Sequence, residues 1–275
     1  MKIEFLIRQI FAEPALITPA AHASIRIWFE ARMLHEARQP GTDICGNEVE
    51  LEQMTIKDGI AEIPIGGVIG MNLKPFQRGS GAVDVADISA EIDQAMADPA
   101  VKQILFNVDS PGGMVSGTPE LADKIAAITK PKFAFTNGLM ASAAYWAMSG
   151  ADLIMGTKTA NVGSIGVYMP VFDESRAYER AGVKVELIKA GALKGIGFPG
   201  TALSESGKAH LQERVDEIYG MFKSHVSAMR KNRVKDEDMQ GQSFMGEKAR
   251  NKGLMDGIVR DKAQMISMML RNHVD

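Results

Sequence analysis

Ser142 and Lys194, 52 residues apart, are the side chains whose settings could carry covalent chemistry. Ser142 lies in NGLMASAAYWAMSG (137–150), where the strand-like KFAFT runs into a turn of small residues and then an alanine-rich helical stretch. A serine at a helix start gains from the dipole if it develops negative charge, and small neighbours leave room for a substrate. The same position also suits an ordinary helix cap. The flanking residues do not spell G-x-S-x-G, so an α/β-hydrolase elbow is not predicted. Lys194 sits in KAGALKGIG (189–197) between Ala192, Leu193, Gly195 and Ile196, with no acidic residue between Glu186 and Glu205. Apolar surroundings without a carboxylate favour the neutral amine that a general base requires. The alternative is a solvated surface lysine. Lys189, at a predicted strand end near Glu186, is expected to be exposed.

Two glycine-rich turns accompany them. In Asp109–Gly113 (DSPGG), after the strand ILFNV, Gly112 and Gly113 leave backbone N–H groups unobstructed. Such amides suit a developing oxyanion, although an ordinary proline–glycine turn has the same composition. The turn does not match a dinucleotide fingerprint or a P-loop. In NVGSIGVY (161–168), glycines flank Ser164, which is a weaker nucleophile candidate because no helix obviously follows it. Activating a serine takes a base, and histidine, lysine or an N-terminal amine are the usual choices. His22, His35, His210, His225 and His273 leave residues 36–209 without an imidazole. They fall on an N-terminal arm, a long helix and the C-terminal end, where structural or solvated roles are expected. A serine–lysine pair fits what remains.

These residues need a scaffold, and the chain supplies strand–helix alternation from about residue 52. Ile60–Ile69, Lys102–Val108, Lys132–Thr136, Leu153–Gly156 and Val183–Lys189 read as strands. Residues 85–97, a segment opening at Thr118-Pro119 with Thr118 as N-cap, and residues 204–231 read as helices. Long crossovers between such strands predict a mainly parallel α/β core, with glycine-rich breaks at the strand ends where open sheets place their sites. Residues 1–51, with Arg26, Trp28, Phe29 and Arg32 in a helix-like stretch, read as an N-terminal arm, and 52–275 as one domain.

Composition narrows the class. The chain has 275 residues, 45% of them hydrophobic and 24% charged, enough to bury a sizeable core. One cysteine, Cys45, excludes a disulfide framework and multi-cysteine metal sites. A net charge of −3 with interspersed signs argues against a dedicated nucleic-acid partner. No segment reaches the roughly 18 apolar residues of a membrane-spanning helix. Glu4, Arg8 and Glu13 interrupt what would be a signal-peptide core, so a cytoplasmic protein without a membrane anchor is expected.

Taken in order, IPIGGVI, DSPGG, MASAAYWA, NVGSIGV, AGALKGIG and FMGEKARNKGLMDGIV resemble the signal peptide peptidase A family of serine peptidases, over about residues 58–260. That family also contains the phage prohead (capsid-assembly) proteases, whose N-terminal segment ITPAAHASIRIWFEARML resembles more than it does the membrane-bound members. The resemblance implies an α/β fold of the Clp-protease/crotonase type and a ring-like homo-oligomer. It implies Ser142 as nucleophile, Lys194 as general base, and the backbone N–H groups of Gly113 and Ala143 as oxyanion hole. Gly112, Met140 and Ser164 are candidates for lining the cleft. Polypeptide substrates follow, capsid scaffold or portal proteins among them, with no cofactor or metal, in the host cytoplasm or prohead. Two departures are Ala143 and Ala144, where the family often has glycines, and Gly195, where it usually has an acid. Alternatives are a signal peptide peptidase-like degradation of membrane or cytoplasmic peptides, a crotonase-type acyl-CoA enzyme, and a non-enzymatic capsid-assembly protein.

Overall fold

Apolar residues alternating at period two build a parallel sheet whose two faces are both covered. The computed structural model describes residues 15–19, 53–78 and 81–271, so most of the N-terminal arm, with its helix-like stretch around Trp28, lies outside the described residues. In chain order the first elements are β1 (Ala15–Ile17), β2 (Thr55–Lys57), β3 (Ile60–Gly66), β4 (Ile69–Gly70), α1 (Pro75–Arg78), β5 (Val83–Asp84) and α2 (Val85–Ala97). Next come β6 (Gln103–Asp109), β7 (Gly112–Met114), α3 (Thr118–Ala126), β8 (Lys132–Thr136), β9 (Leu139–Ala141) and α4 (Ala143–Met148). The remainder are β10 (Leu153–Gly156), β11 (Asn161–Gly163), α5 (Ser175–Arg180), α6 (Glu205–Met229), β12 (Ser243–Met245), α7 (Gly246–Asn251), β13 (Gly257–Ile258) and α8 (Lys262–Arg271).

The main sheet has the order β13-β10-β8-β6-β3-β2, parallel throughout except for β2. β2 turns into β3 at Asp58-Gly59, whose φ values of 52° and 77° are those of a tight hairpin. On β3, β6 and β8, the side chains of Ala61, Ile63, Ile65, Ile104, Phe106, Val108 and Ala134 join one apolar cluster with α2, α3 and α4. Their neighbours Ile60, Leu105, Phe133 and Phe135 join a second cluster, closed by Met265 and Met269 of α8. Each such side chain taken fully from water contributes about 1.5–3 kcal/mol. The α/β class, mainly parallel sheet and repeated strand–helix units agree with the sequence reading.

Two smaller sheets grow from the strand ends, in the orders β1-β7-β4-β5 and β12-β11-β9. Pro111 lacks an N–H and cannot extend the central β6, so the chain leaves the main sheet there and enters β7.

Three expectations change. Val183–Lys189 is not a strand but irregular and mostly exposed chain. Thr118 is the first residue of α3 rather than its cap; Gly117 caps it at φ 84°, and the Thr118 hydroxyl donates to the Met114 carbonyl at 2.7 Å. On α6, only the C-terminal part of the apolar stripe, Phe222 and Val226, is buried.

Candidate active site

Ser142 occupies the turn between β9 and α4 in a backbone conformation that few non-glycine residues adopt, φ 53° and ψ −117°. Two bonds hold it there. Its N–H donates to the Gly163 carbonyl at 2.8 Å, and its carbonyl accepts from Trp146 N–H at 2.8 Å. The residue is 1% exposed. Its hydroxyl makes no cap bond to α4, so the capping role that the sequence left open is not realised. A strained serine between strand and helix is the backbone shape of a nucleophile elbow, reached here with Met140 and Ala144 at the two glycine positions of G-x-S-x-G. α4 has six residues and ends at Met148, so its dipole is a small contribution. Behind Ser142, Tyr145 and Trp146 are packing residues. Trp146 stacks on Phe222 at 4.6 Å, and the Tyr145 hydroxyl donates to the Leu254 carbonyl at 3.1 Å.

The DSPGG turn is fastened to the strand that carries Ser142. Ser110 N–H donates to the Leu139 carbonyl at 2.7 Å and its carbonyl accepts from Ala141 N–H at 3.1 Å. The Ser110 hydroxyl donates to the Gly67 carbonyl at 2.6 Å and accepts from Gly112 N–H at 3.2 Å. Asp109 Oδ1 accepts from Leu139 N–H at 3.0 Å. Gly112, at φ 101°, has to be glycine. A Cβ there would stand 2.1 Å from the Leu16 carbonyl oxygen and 2.9 Å from Ser142 Cβ. At Gly113 a Cβ would meet the Ile69 carbonyl oxygen at 1.8 Å. The turn therefore brings Gly112 against Ser142 and packs Gly113 against Ile69 of β4. Ser110, which was not singled out from the sequence, is what pins it; its only sequence signal is a hydroxyl directly before Pro-Gly.

Ser164 follows Gly163, has φ 53°, is buried, and donates its N–H to the Gln242 carbonyl at 2.9 Å. Ala143 is buried at the start of α4, and Met140 is fully buried in the main apolar cluster. Lys194 is placed differently. It lies on an exposed turn, its N–H bonded to the Gly191 carbonyl at 3.1 Å, and no hydrogen bond or ion pair joins its side chain to Ser142 among the described residues. Its own chain does not supply the apolar enclosure that the base role calls for. The same stretch exposes apolar side chains: Val183, Ile188, Leu193 and Phe198 are all open to solvent. Lys189 is exposed, as its position suggests, and donates to the Ala192 carbonyl at 2.8 Å.

Of the histidines, His225 is packed near Trp146, with a ring-centroid separation of 6.5 Å, and its Nδ1 is 3.6 Å from Asp123. Burial pushes its pKa below the ordinary value against the opposing pull of Asp123. Tyr168, beside β1, is pushed up to about 12 by burial. Among the described residues, no group of three or more His, Cys, Asp or Glu side chains gathers as a metal site, and no helix is long and apolar enough to cross a membrane.

The arrangement holds Ser142 beside the Gly112 turn, with the Gly112 N–H taken by the Ser110 hydroxyl and Gly113 paired with Leu16 of β1. A serine hydroxyl next to backbone amides is the setting that acyl transfer with oxyanion stabilisation requires. Several known proteins share parts of this sequence. It is 35% identical over 207 residues to capsid assembly protease C of Escherichia phage lambda, covering 74% of this chain and 47% of that protein. It is 34% identical to head-tail preconnector protein GP5 of Enterobacteria phage P21, covering 62% and 35%. It is 29% identical to protease 4 of Salmonella typhi, covering 62% and 28%. The chain thus spans about half or less of the length of these relatives. Among solved structures it is similar to a ClpP1 mutant of Listeria monocytogenes, 12% identical, covering 74% of this chain and 92% of that one with a TM-score of 0.48. Residues 124–275, which include Ser142, Ser164 and Lys194, match the model of peptidase family S49. The chain belongs to peptidase family S49.

Proposed function

We propose that this chain is a serine endopeptidase with Ser142 as nucleophile, and that residues 52–275 form its peptidase domain. The observation that carries the reading is the strained Ser142, its hydroxyl unused by the helix, set against the Gly112-Gly113 turn. Ser142 Oγ attacks a peptide carbonyl, and the amides of Gly113 and Ala143 receive the oxyanion. A base takes the serine proton and passes it to the leaving amine, and water then hydrolyses the acyl-serine.

Lys194 is the proposed base, delivered to Ser142 of a neighbouring copy in a homo-oligomer. Two features support this: Lys194 has no bond to Ser142 of its own chain, and apolar side chains around it stand open to solvent. Covering Ile188, Leu193 and Phe198 on assembly would enclose Lys194 in apolar surroundings, where desolvation favours the neutral amine. The phage relatives favour capsid or scaffold proteins as substrates, processed in the host cytoplasm or the prohead. The test is cleavage of casein and of a capsid scaffold protein by wild type, Ser142→Ala and Lys194→Ala. Loss in both variants is expected, and cleavage surviving in Ser142→Ala would sink the reading.

A further inference from the structure

Strand β1 lies where a substrate of Ser142 would have to lie. It runs antiparallel to β7, with Leu16 opposite Gly113 and Ile17 opposite Gly112. Along its other edge, Ala15 N–H donates to the Tyr168 carbonyl at 2.8 Å and Tyr168 N–H to the Ala15 carbonyl at 3.3 Å. Thr18 N–H donates to the Pro111 carbonyl at 3.0 Å. Hydrogen-bonding pairs alternate along an antiparallel ladder, so two residues on from Thr18–Pro111 the next such pair is Leu16–Gly113. The Gly113 N–H thereby faces the Leu16 carbonyl. That carbonyl oxygen and Ser142 Cβ lie 2.1 and 2.9 Å from the point where a Cβ on Gly112 would stand, so they are at most about 5 Å apart. Leu16 is fully buried, Ala15 and Ile17 are each 6% exposed, and Ser142 is 1% exposed beside them.

We propose that the Leu16–Ile17 peptide bond is an internal cleavage site of this chain, and that residues 15–18 fill the substrate groove until it is cut. The inference rests on Ser142 being the nucleophile. Backbone pairing on both edges and a buried leucine are how a groove binds an extended peptide by strand addition. Ser142 Oγ bonds to the Leu16 carbonyl carbon while the Gly113 N–H stabilises the oxyanion. The C–N bond to Ile17 breaks, and the serine proton passes through the base to the Ile17 nitrogen. Water then hydrolyses the Leu16–Ser142 ester, leaving a Leu16 carboxylate and free Ser142. The groove opens once the severed strand departs, so cleavage of other polypeptides follows self-cleavage.

The experiment follows the freshly purified full chain by intact mass and N-terminal sequencing, with casein cleavage measured in parallel. Wild type is expected to lose residues 1–16, to acquire Ile17 as its N-terminus, and to cut casein after a lag. Ser142→Ala stays whole. Leu16→Asp replaces the buried anchor by a charge and is expected to slow self-cleavage at least about tenfold while removing the lag on casein. A wild-type chain that cuts casein but stays whole overturns the inference and leaves the peptidase reading standing. A chain that cuts neither overturns both. Cleavage at Leu16–Ile17 in Ser142→Ala, or at another bond only, also overturns it.

Discussion

The N–H of Ser142 reaches the Gly163 carbonyl at 2.8 Å, so the parallel pairing of β9 with β11 continues one residue into the turn that presents the serine. The conformation of Ser142 is therefore imposed by a neighbouring strand and not by its own side chain. Ser142→Ala should cut peptidase activity by at least about a thousandfold. Its stability should stay within about 0.5 kcal/mol of wild type, because no cap bond is lost. A capping serine would instead cost about 0.5–2 kcal/mol. Thermal denaturation beside casein cleavage separates the two.

Gly112→Ala puts a methyl group at φ 101°, against the Leu16 and Ala141 carbonyl oxygens and the Ser142 Cβ. Relief requires β1 and the Ala141–Ser142 backbone to shift away from the turn. A displacement near 1 Å at a reacting group costs about a hundredfold in rate. Activity should fall by that order or more in a chain that still folds, judged by circular dichroism.

Lys194→Ala should abolish activity with no measurable change in melting temperature, since the side chain is exposed and makes no hydrogen bond or ion pair among the described residues. Mixing it with Ser142→Ala should restore part of the activity, because some interfaces then pair an intact serine with an intact lysine. Two inactive variants that stay inactive when co-assembled would place the base within one chain or elsewhere.

Arg230, 1% exposed, donates to Asp256 Oδ2 at 2.9 Å, and Arg233 donates to Oδ1 at 2.8 Å. Asp256 also accepts Ile154 N–H at 2.7 Å, so one carboxylate ties the end of α6 to β10. Burial works to raise its pKa, but the Ile154 N–H and the two guanidinium groups outweigh it and hold the carboxyl below its ordinary value. Asp256→Ala leaves the buried Arg230 uncompensated and should cost about 3–5 kcal/mol, read by urea unfolding.

His225 gives a pH signature. Its folded pKa lies below its unfolded one because burial disfavours the imidazolium, a trend that Asp123 opposes. The unfolded chain then binds the proton first as pH falls. The contribution is nil above the ordinary histidine pKa and turns against folding as pH drops through about 6.5 toward the lower folded value. Wild type should lose more melting temperature than His225→Leu between pH 8 and pH 5.5.

Much of this was written locally. The period-two runs of β3, β6 and β8 and the 3.6-period of α2 need only neighbouring residues to be read, as do the glycine breaks that follow strands. Ser142 and DSPGG could be picked out because chemistry and turn formation both select small residues over a few positions. Val183–Lys189 misled for the same reason. Its apolar residues have strand character, but no strand among the described residues pairs with them, and local propensity cannot reveal a missing partner. What tertiary structure alone decided is non-local pairing. Gly163 orients the serine, Ser110 bridges two strand ends, Asp256 gathers two arginines, and Ala15–Ile17 finds the edge of β7. Each of these contacts joins residues far apart in the chain, where backbone hydrogen bonds and buried charge carry no residue-type signature. The amino-acid sequence thus determined which hydroxyls, amines and glycine turns are available, and folding determined that Ser142 meets the Gly112 turn, that Lys194 does not meet Ser142 of its own chain, and that β1 lies along the same turn.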